Sequence, residues 1–265
     1  MPRFVAASKR SATVVSAPQQ NGQGAALVSP PPVTRRRSRR LHRLRKSIDL
    51  AYQTRLQRLS FDGLTVELLR VADVDALLDR LPKIQFRPDE RPPYWADLWP
   101  SAIALAGHLR RHVPLRGLRV LELGCGLGLV GIVASRLGAV VTLTDYDADA
   151  LAFARYNVLY NECEGASIRH LDWHAPKLAE TYQRVIASDI LYERANFLPL
   201  LQFLQTALAP DGRFILAEPN RPVARDFFRL LRDHGYRYER LTETMEVEGE
   251  RHEVSIYEGG LQSRR

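Results

Sequence analysis

Val120-Leu-Glu-Leu-Gly124-Cys-Gly126-Leu-Gly128-Leu-Val-Gly131 sets an apolar, strand-like run against closely spaced glycines and then an apolar, helix-like run. A chain that leaves a strand through glycines turns tightly and lets a ligand approach bare backbone. The dinucleotide fingerprint G-x-G-x-x-G would need its third glycine where Leu129 stands, whereas Gly128 comes one place early. That spacing argues against a pyrophosphate reader. Val140 to Thr144 reads as the next strand and delivers Asp145, 19 residues after Gly126, beside the same turn. A carboxylate there can accept both hydroxyls of a ribose, so turn and acid together predict a nucleoside cofactor. The plainer alternative is a tight turn with a helix-capping aspartate.

Working outward, strands and helices alternate. Strands are expected at Leu118 to Leu123, Val140 to Thr144, Ser167 to His170, Arg184 to Ser188 and Arg213 to Ala217. Helices are expected at Ser101 to His112, Leu129 to Leu137, Ala148 to Asn161, Phe197 to Leu208 and Val223 to Gly235. Tyr236 to Glu246 and His252 to Tyr257 are two strands with no helix between them, hence an antiparallel hairpin turning near Glu248-Gly249-Glu250. The pattern predicts an α/β, Rossmann-like fold: a mostly parallel sheet with helices on both faces and an antiparallel terminal hairpin.

The N-terminal part has a different texture. Residues 1–48 hold 11 Lys/Arg and no Asp/Glu, which leaves 27 basic and 30 acidic residues for the rest of the chain. The formal charge of +8 therefore belongs to one segment, and a field drawing the whole folded body onto nucleic acid is excluded. Its Arg, Ser, Ala, Gln and Pro content predicts a disordered basic tail over residues 1–48. A transit peptide would share that composition; a secretory signal would need an apolar stretch that is missing. Beyond it, Leu56 to Phe61 and Leu64 to Val71 alternate around Asp62-Gly63, a strong hairpin signal. Asp73 to Leu81 follows as a short helix with Asp73 or Asp75 to cap it. The expected domains are the tail (1–48), a hairpin-and-helix extension (49–92), the main domain (93–258) and a disordered end (259–265). Cys125 and Cys163 are too few for a disulfide framework, which suits a reducing, cytoplasmic setting. No run is apolar enough to span a bilayer.

The motif E-L-G-C-G-L-G followed by T-D-Y-D resembles the seven-strand class I methyltransferases that use S-adenosylmethionine, over about Pro93 to Glu258. The resemblance implies a seven-stranded sheet whose last strand is reversed. It implies that Glu122, Gly124, Gly126 and Gly128 surround the methionine part of the cofactor, that Asp145 holds the ribose, and that Tyr146 flanks the adenine. Asp172 and Trp173 follow the third strand, where the family commonly meets the adenine; Ser188 closes the fourth strand at the cofactor's edge. S-adenosylhomocysteine would be the product.

The methyl acceptor is read from Ser188-Asp189-Ile190-Leu191-Tyr192. Base-methylating members resemble N-P-P-Y or D-P-P-Y here, and both prolines are missing. D-x-x-Y instead resembles the protein-lysine branch, which implies catalytic roles for Asp189 and Tyr192. A lysine amine is neutral in only about one molecule in a few thousand at pH 7, yet attack needs a free lone pair. A carboxylate orienting the ammonium, with an aromatic ring along its alkyl stem, meets that need. Pro93-Tyr94-Trp95-Ala96-Asp97-Leu98-Trp99-Pro100 resembles the P-Y-W-A-x-x-W-P run of bacterial relatives and of the electron-transfer-flavoprotein β-subunit enzyme. It implies Trp99 on the cofactor and Tyr94 and Trp95 at the substrate mouth. Glu218-Pro219-Asn220-Arg221-Pro222 is similar to a D-P-G-R-P run in that enzyme and makes Glu218 a substrate-binding residue, although Glu replaces Asp and Asn replaces Gly.

A protein substrate is the expected partner. Rival acceptors are a small-molecule amine, or histidine or arginine in a protein; a rival of another class is a nucleic-acid-associated protein working through its Arg-rich tail. No metal is expected: His170 and His174 would pair only on a helix, and they leave a strand. Cys125 has no base nearby and reads as a turn residue.

Overall fold

The computed structural model describes residues 10–11, 35–79, 92–176 and 178–262. In chain order the elements are β1 (Arg10–Ser11), α1 (Arg35–Asp49), β2 (Thr54–Phe61), β3 (Leu64–Val71), α2 (Val74–Asp79), a 3-10 turn (Tyr94–Ala96), α3 (Pro100–His112), β4 (Arg119–Leu123), α4 (Leu129–Arg136), β5 (Val140–Asp145), α5 (Ala148–Tyr160), β6 (Ser167–His170) and β7 (Tyr182–Ser188). A second 3-10 turn (Arg194–Asn196), α6 (Phe197–Ala207), β8 (Leu208–Glu218), α7 (Ala224–Asp233), β9 (Tyr236–Val247) and β10 (Glu250–Leu261) complete the chain. The expected α2 is present with Asp73 accepting from the Ala76 amide at 2.8 Å, but its expected last residues, and most of the Pro-rich link Arg87 to Pro93, lie outside the described residues.

The main sheet runs β1-β9-β10-β8-β7-β4-β5-β6. Strands β4 to β8 are mutually parallel, and β10 is antiparallel to both its neighbours. This is the mostly parallel sheet with an antiparallel terminal hairpin that the alternation predicts. An eighth strand, β1, adds two residues at the β9 edge, too short to leave a periodic signature. Alternate residues feed two cores: Val120, Ile186 and Ile215 face α3, α4 and α5, while Leu121, Val185 and Phe214 face α6 and α7.

Strand β8 begins at Leu208, five residues before its expected start, and both segments expected to be disordered contain ordered structure. Residues 35–48 of the expected disordered tail, with Asp49, form α1, laid along α5, while residues 1–9 and 12–34 of that tail lie outside the described residues. Leu41, Leu44 and Ile48 supply its apolar stripe, and Arg37 donates to the carbonyls of Leu159 (2.9 and 3.1 Å) and Tyr160 (3.1 Å) at the α5 C-terminus. Composition hid this because three apolar residues among seven Arg and one Lys gain nothing until α5 covers them. At the other end, Gly259 to Leu261 are not loose but extend β10. A Cβ at Gly259 would collide with Arg237 O and lie 2.6 Å from the Tyr238 Cβ. Paired glycines here mark close strand approach, not a chain break.

The β2–β3 hairpin docks through two asparagines, Asn157 in α5 and Asn161 at its C-cap, that imitate a strand. Asn157 accepts from the Leu69 amide (2.7 Å) and donates to the Leu69 carbonyl (3.0 Å); Asn161, one turn on, does the same at Glu67 (3.0 and 2.7 Å). Asn157 also donates to the Leu127 carbonyl at 2.9 Å, tying the hairpin to the glycine turn. Asn157→Ala would strand three buried backbone groups, and at about 1–3 kcal/mol for each unsatisfied group a loss of at least about 3 kcal/mol in urea unfolding is expected. A loss below about 1 kcal/mol would show that water replaces the amide.

Candidate active site

A cleft opens at the carboxyl ends of β4, β5 and β7, where the strand order reverses and open α/β sheets receive ligands. It contains about 750 Å³ of empty space, its open mouth included. Its walls bring together Tyr94, Trp95, Trp99, Glu122, Gly124, Gly126, Asp145, Tyr146, Trp173, Ser188, Asp189 and Tyr192, which the sequence draws from five separate segments.

The glycine turn makes one half. Gly126 has φ +49°, and a Cβ there would sit 3.3 Å from the Trp95 carbonyl, so the bare backbone keeps the turn close to the aromatic run. Asp145 ends β5 with one carboxylate oxygen accepting from the Gly126 amide (2.9 Å) and the other from the Asp147 amide (3.0 Å). A carboxylate accepts about four hydrogen bonds, so capacity remains for a further donor. Burial raises the Asp145 pKa, partly offset by those amides. Glu122 is buried at 2% exposure, and its Oε2 has no partner. Gly131 leaves room for it, since a Cβ there would collide with that oxygen. Burial pushes the Glu122 carboxyl up to about 8. The indole N–H of Trp173, also in the wall, is likewise buried without a partner.

A pair of acids with spare acceptor capacity, bare backbone and flanking rings fits a nucleoside carrying an amino-acid end, whose diol and ammonium both donate. The raised Glu122 pKa has a stability consequence. Between about pH 4.5 and 8 the folded protein retains a proton that the unfolded chain has released, so burying Glu122 costs progressively more as pH rises through that window. Glu122→Gln removes the titration. In ligand-free protein its stability relative to wild type should improve by roughly 2–4 kcal/mol from pH 5 to pH 8, read from thermal melts. Parallel pH profiles for the two proteins would assign the proton elsewhere.

The other half is acceptor-facing. Asp189 follows β7 with φ +56°, an uncommon conformation for a non-glycine residue and one often found where function holds it. Its Oδ1 accepts two hydrogen bonds from Arg221, from Nε (3.0 Å) and Nη2 (2.8 Å), while its Oδ2 is buried without a partner. Burial raises the Asp189 pKa, and the Arg221 bonds and charge pull it back. The Arg221 guanidinium lies 6.0 Å from the Trp99 ring centre. Tyr94 meets Trp99 and Tyr192 edge-on, with ring centres 6.3 and 5.9 Å apart, and is 45% exposed at the mouth. Trp99 donates its indole N–H to the Tyr94 carbonyl at 2.8 Å. Trp95 is buried against Tyr52 and Phe153, so it fastens the link between α1 and β2, and α5, to the cleft wall as well as lining it.

Three expected site residues stand apart from the cleft walls. Gly128 is the residue before α4 and packs on Leu143 and Ala154. Asp172 is exposed and caps the turn through the His174 amide at 2.9 Å. Glu218 is buried behind Arg221, accepting its backbone N–H at 2.8 Å, and so shapes the loop without lining the cleft. Asn220 adopts φ +63° and thereby does the work of the glycine it replaces, while bonding Glu253, Arg240 and Ser255. His174 pairs with Asn196 at 2.8 Å, not with His170. Cys125 is buried, and burial raises its thiol pKa.

Sequence reasoning overlooked Arg221 as the partner of Asp189. It also overlooked Asp97 in the cleft wall, held by Arg70 of β3 at 3.1 Å. The aromatic run and the N-R-P turn were visible, but no spacing rule joins Arg221 to Asp189.

The fold is similar to solved methyltransferases: a putative RNA methyltransferase of Pyrococcus horikoshii (TM-score 0.52, 20% identity, 72% of this chain and 98% of that one) and the glycopeptide N-methyltransferase MtfA (0.53, 16%, 63% and 93%). Among curated proteins the chain is 41% identical over 147 residues to the protein N-lysine methyltransferase METTL21A of Xenopus tropicalis, covering 52% of this chain and 67% of that protein. It is 35% identical over 143 residues to EEF1A lysine methyltransferase 3 of Mus musculus (51% and 61%), and 34% identical over 173 residues to the protein N-terminal and lysine N-methyltransferase EFM7 of Eremothecium gossypii (56% and 65%). The matched stretch thus spans about two thirds or less of these relatives. The profile of the family described as "Lysine methyltransferase" matches residues 81–234, more than half of the chain and all of the glycine turn, Asp145 and D-x-x-Y. With that match laid over this cleft, the chain belongs to the lysine methyltransferase family.

Proposed function

We propose that the protein transfers a methyl group from S-adenosylmethionine to the side-chain amine of a lysine in a protein substrate. The observation that carries the acceptor is the buried, unpartnered Oδ2 of Asp189 in a wall shared with Tyr94, Trp99 and Tyr192. A carboxylate oxygen with unused capacity among rings suits a cationic head on an apolar stem. When bound, S-adenosylmethionine supplies a methyl group on a sulfonium that departs as a neutral thioether.

The chain's own residues then orient and strip protons. Glu122 takes the ammonium end of the cofactor, Asp145 the ribose hydroxyls, and Tyr146 and Trp173 flank its ring. Arg221 keeps Asp189 in place, so that Oδ2 holds one N–H of the incoming ammonium, accepts that proton and hands it on to water, which leaves the amine its lone pair. Tyr192 and Tyr94 line the stem, and Trp99 limits water at the reacting face. Tyr94 at an open rim favours a side chain presented by a protein over an enclosed metabolite. Two free, buried cysteines support a cytoplasmic setting, and no helix among the described residues is long and apolar enough to cross a membrane.

The test incubates the protein with methyl-tritiated S-adenosylmethionine and extract from cells lacking the gene. Label in a discrete protease-sensitive band, mapped to lysine by mass spectrometry, supports the reading. Label confined to small molecules, histidine, arginine or nuclease-sensitive material would replace it with the corresponding rival.

A further inference from the structure

We propose that the outer face of α1 is a docking surface for a nucleic acid, gripped through its phosphodiester backbone and without regard to base sequence. Arg35, Arg36, Arg39, Arg40, Arg43 and Lys46 are exposed on this helix, and none is ion-paired with an acid among the described residues. The single acid of the helix, Asp49, is already bonded to Arg45 and Thr54.

Such an arrangement opposes the helix that carries it. Arg35, Arg39 and Arg43 recur every four residues, as do Arg36 and Arg40, and like charges at that spacing repel by a few tenths of a kcal/mol each. The first turn holds arginines and no acid, against the helix dipole. The helix nevertheless stays folded because Leu41, Leu44, Ile48 and Arg37 anchor its inner face on α5. A rigid scaffold thus holds a ridge of positive charge that no acid among the described residues compensates, and an external polyanion would relieve it.

The chemistry selects which polyanion. Five of the six cations are arginines, whose planar fork matches a phosphate bidentately. Residues four apart rise by about 6 Å along the ridge, a repeat suited to successive charges on one strand. An anionic membrane is a poorer fit, because an interfacial helix inserts its apolar stripe and that stripe is spent on α5; among the described residues Leu50, just past the helix, is the one large apolar side chain exposed next to it in the chain. An acidic protein is also a poorer fit, since the ridge bears no aromatic anchor of the kind that concentrates protein–protein binding energy.

Position separates this surface from the cleft. Arg37 marks the end of α1 at the α5 C-terminus, while Tyr52, just beyond the other end, bonds Asp149 at 2.6 Å and meets Trp95 of the cleft wall with ring centres 5.6 Å apart. A strand on the ridge therefore runs alongside the cleft and leaves it open. The inference does not depend on the lysine reading, and failure of either leaves the other standing.

The experiment uses the full chain and fluorescein-labelled RNA and DNA of about 20 nucleotides and mixed sequence, with polarisation titrations from about 50 to 200 mM KCl. The wild type should bind both with a steep salt dependence. The triple variant Arg39→Ala, Arg43→Ala, Lys46→Ala should bind at least tenfold more weakly at about 50 mM KCl, with the slope of log K against log salt reduced by about 2, since each neutralised phosphate contributes about 0.7 on a single strand. A thermal midpoint no lower than that of the wild type and unchanged S-adenosylmethionine affinity establish that the variant is folded. Identical affinity and slope in wild type and variant would overturn the proposal. So would displacement of RNA by polyglutamate at equal charge concentration, which makes the partner an acidic protein, or capture by phosphatidylserine vesicles in preference to RNA, which makes it a membrane.

Discussion

Asp189→Asn is expected to lower methyl transfer at least tenfold while S-adenosylmethionine affinity stays within a few-fold. Asparagine is the informative replacement because Asp189 holds φ +56°, which Asn tolerates better than Ala, and because the shape that Arg221 grips is retained. What disappears is the carboxylate charge, including that on an oxygen that no other described residue uses. Initial rates with saturating cofactor measure the loss, and equal rates would take Asp189 out of the chemistry. Arg221 provides a second reading of the same carboxylate. Burial raises the Asp189 pKa and Arg221 counteracts it, so Arg221→Ala should raise it further. Because the ionised form is the useful one, activity disappears as pH falls through that pKa, and the acid limb of kcat/KM should move to higher pH. An acid limb that does not move would mean that another group sets it.

The second large effect is on cofactor binding. Asp145→Ala should weaken S-adenosylmethionine by about a hundredfold, the equivalent of about 3 kcal/mol and within reach of two charge-assisted hydrogen bonds. Calorimetric titration measures it directly. Asp145 also secures the amides of Gly126 and Asp147, so part of the loss comes through the turn; Asp145→Asn retains an acceptor and should recover part of the affinity. A dissociation constant unchanged in both variants would contradict the ribose assignment.

The half of the site nearest the glycine turn was legible because its signals are local. Glycines where a strand ends, an acid at the end of the next strand and a D-x-x-Y run after the fourth are each written within a few residues, and the parallel order of β4, β5 and β7 then brings them to one edge. Asp172 and Glu218 sit at equally suggestive places, yet their side chains turn to a neighbouring amide and to the Arg221 backbone. Position along a strand end restricts where a residue is, and rotamer and neighbours decide what it faces. The Arg221 clamp on Asp189 joins residues 32 apart, from loops after two different strands, and no periodicity connects them.

By itself the sequence determined the alternation of strands and helices, the reversed terminal hairpin, the Asp62-Gly63 turn and the glycine–acid pair, all of which follow from turn chemistry and from the two- and 3.6-residue periods. Only the tertiary structure decided that residues 35–49 are a helix, that Asn157 and Asn161 splice the hairpin onto α5, and that Glu122 and Asp189 are left with buried, unused oxygens. Arg37 reaches its carbonyl partner across 122 residues and Asn157 reaches its own across 88. Their physical reason is shared: burial and pairing belong to surfaces that exist only once distant elements have packed together, so no local pattern can encode them.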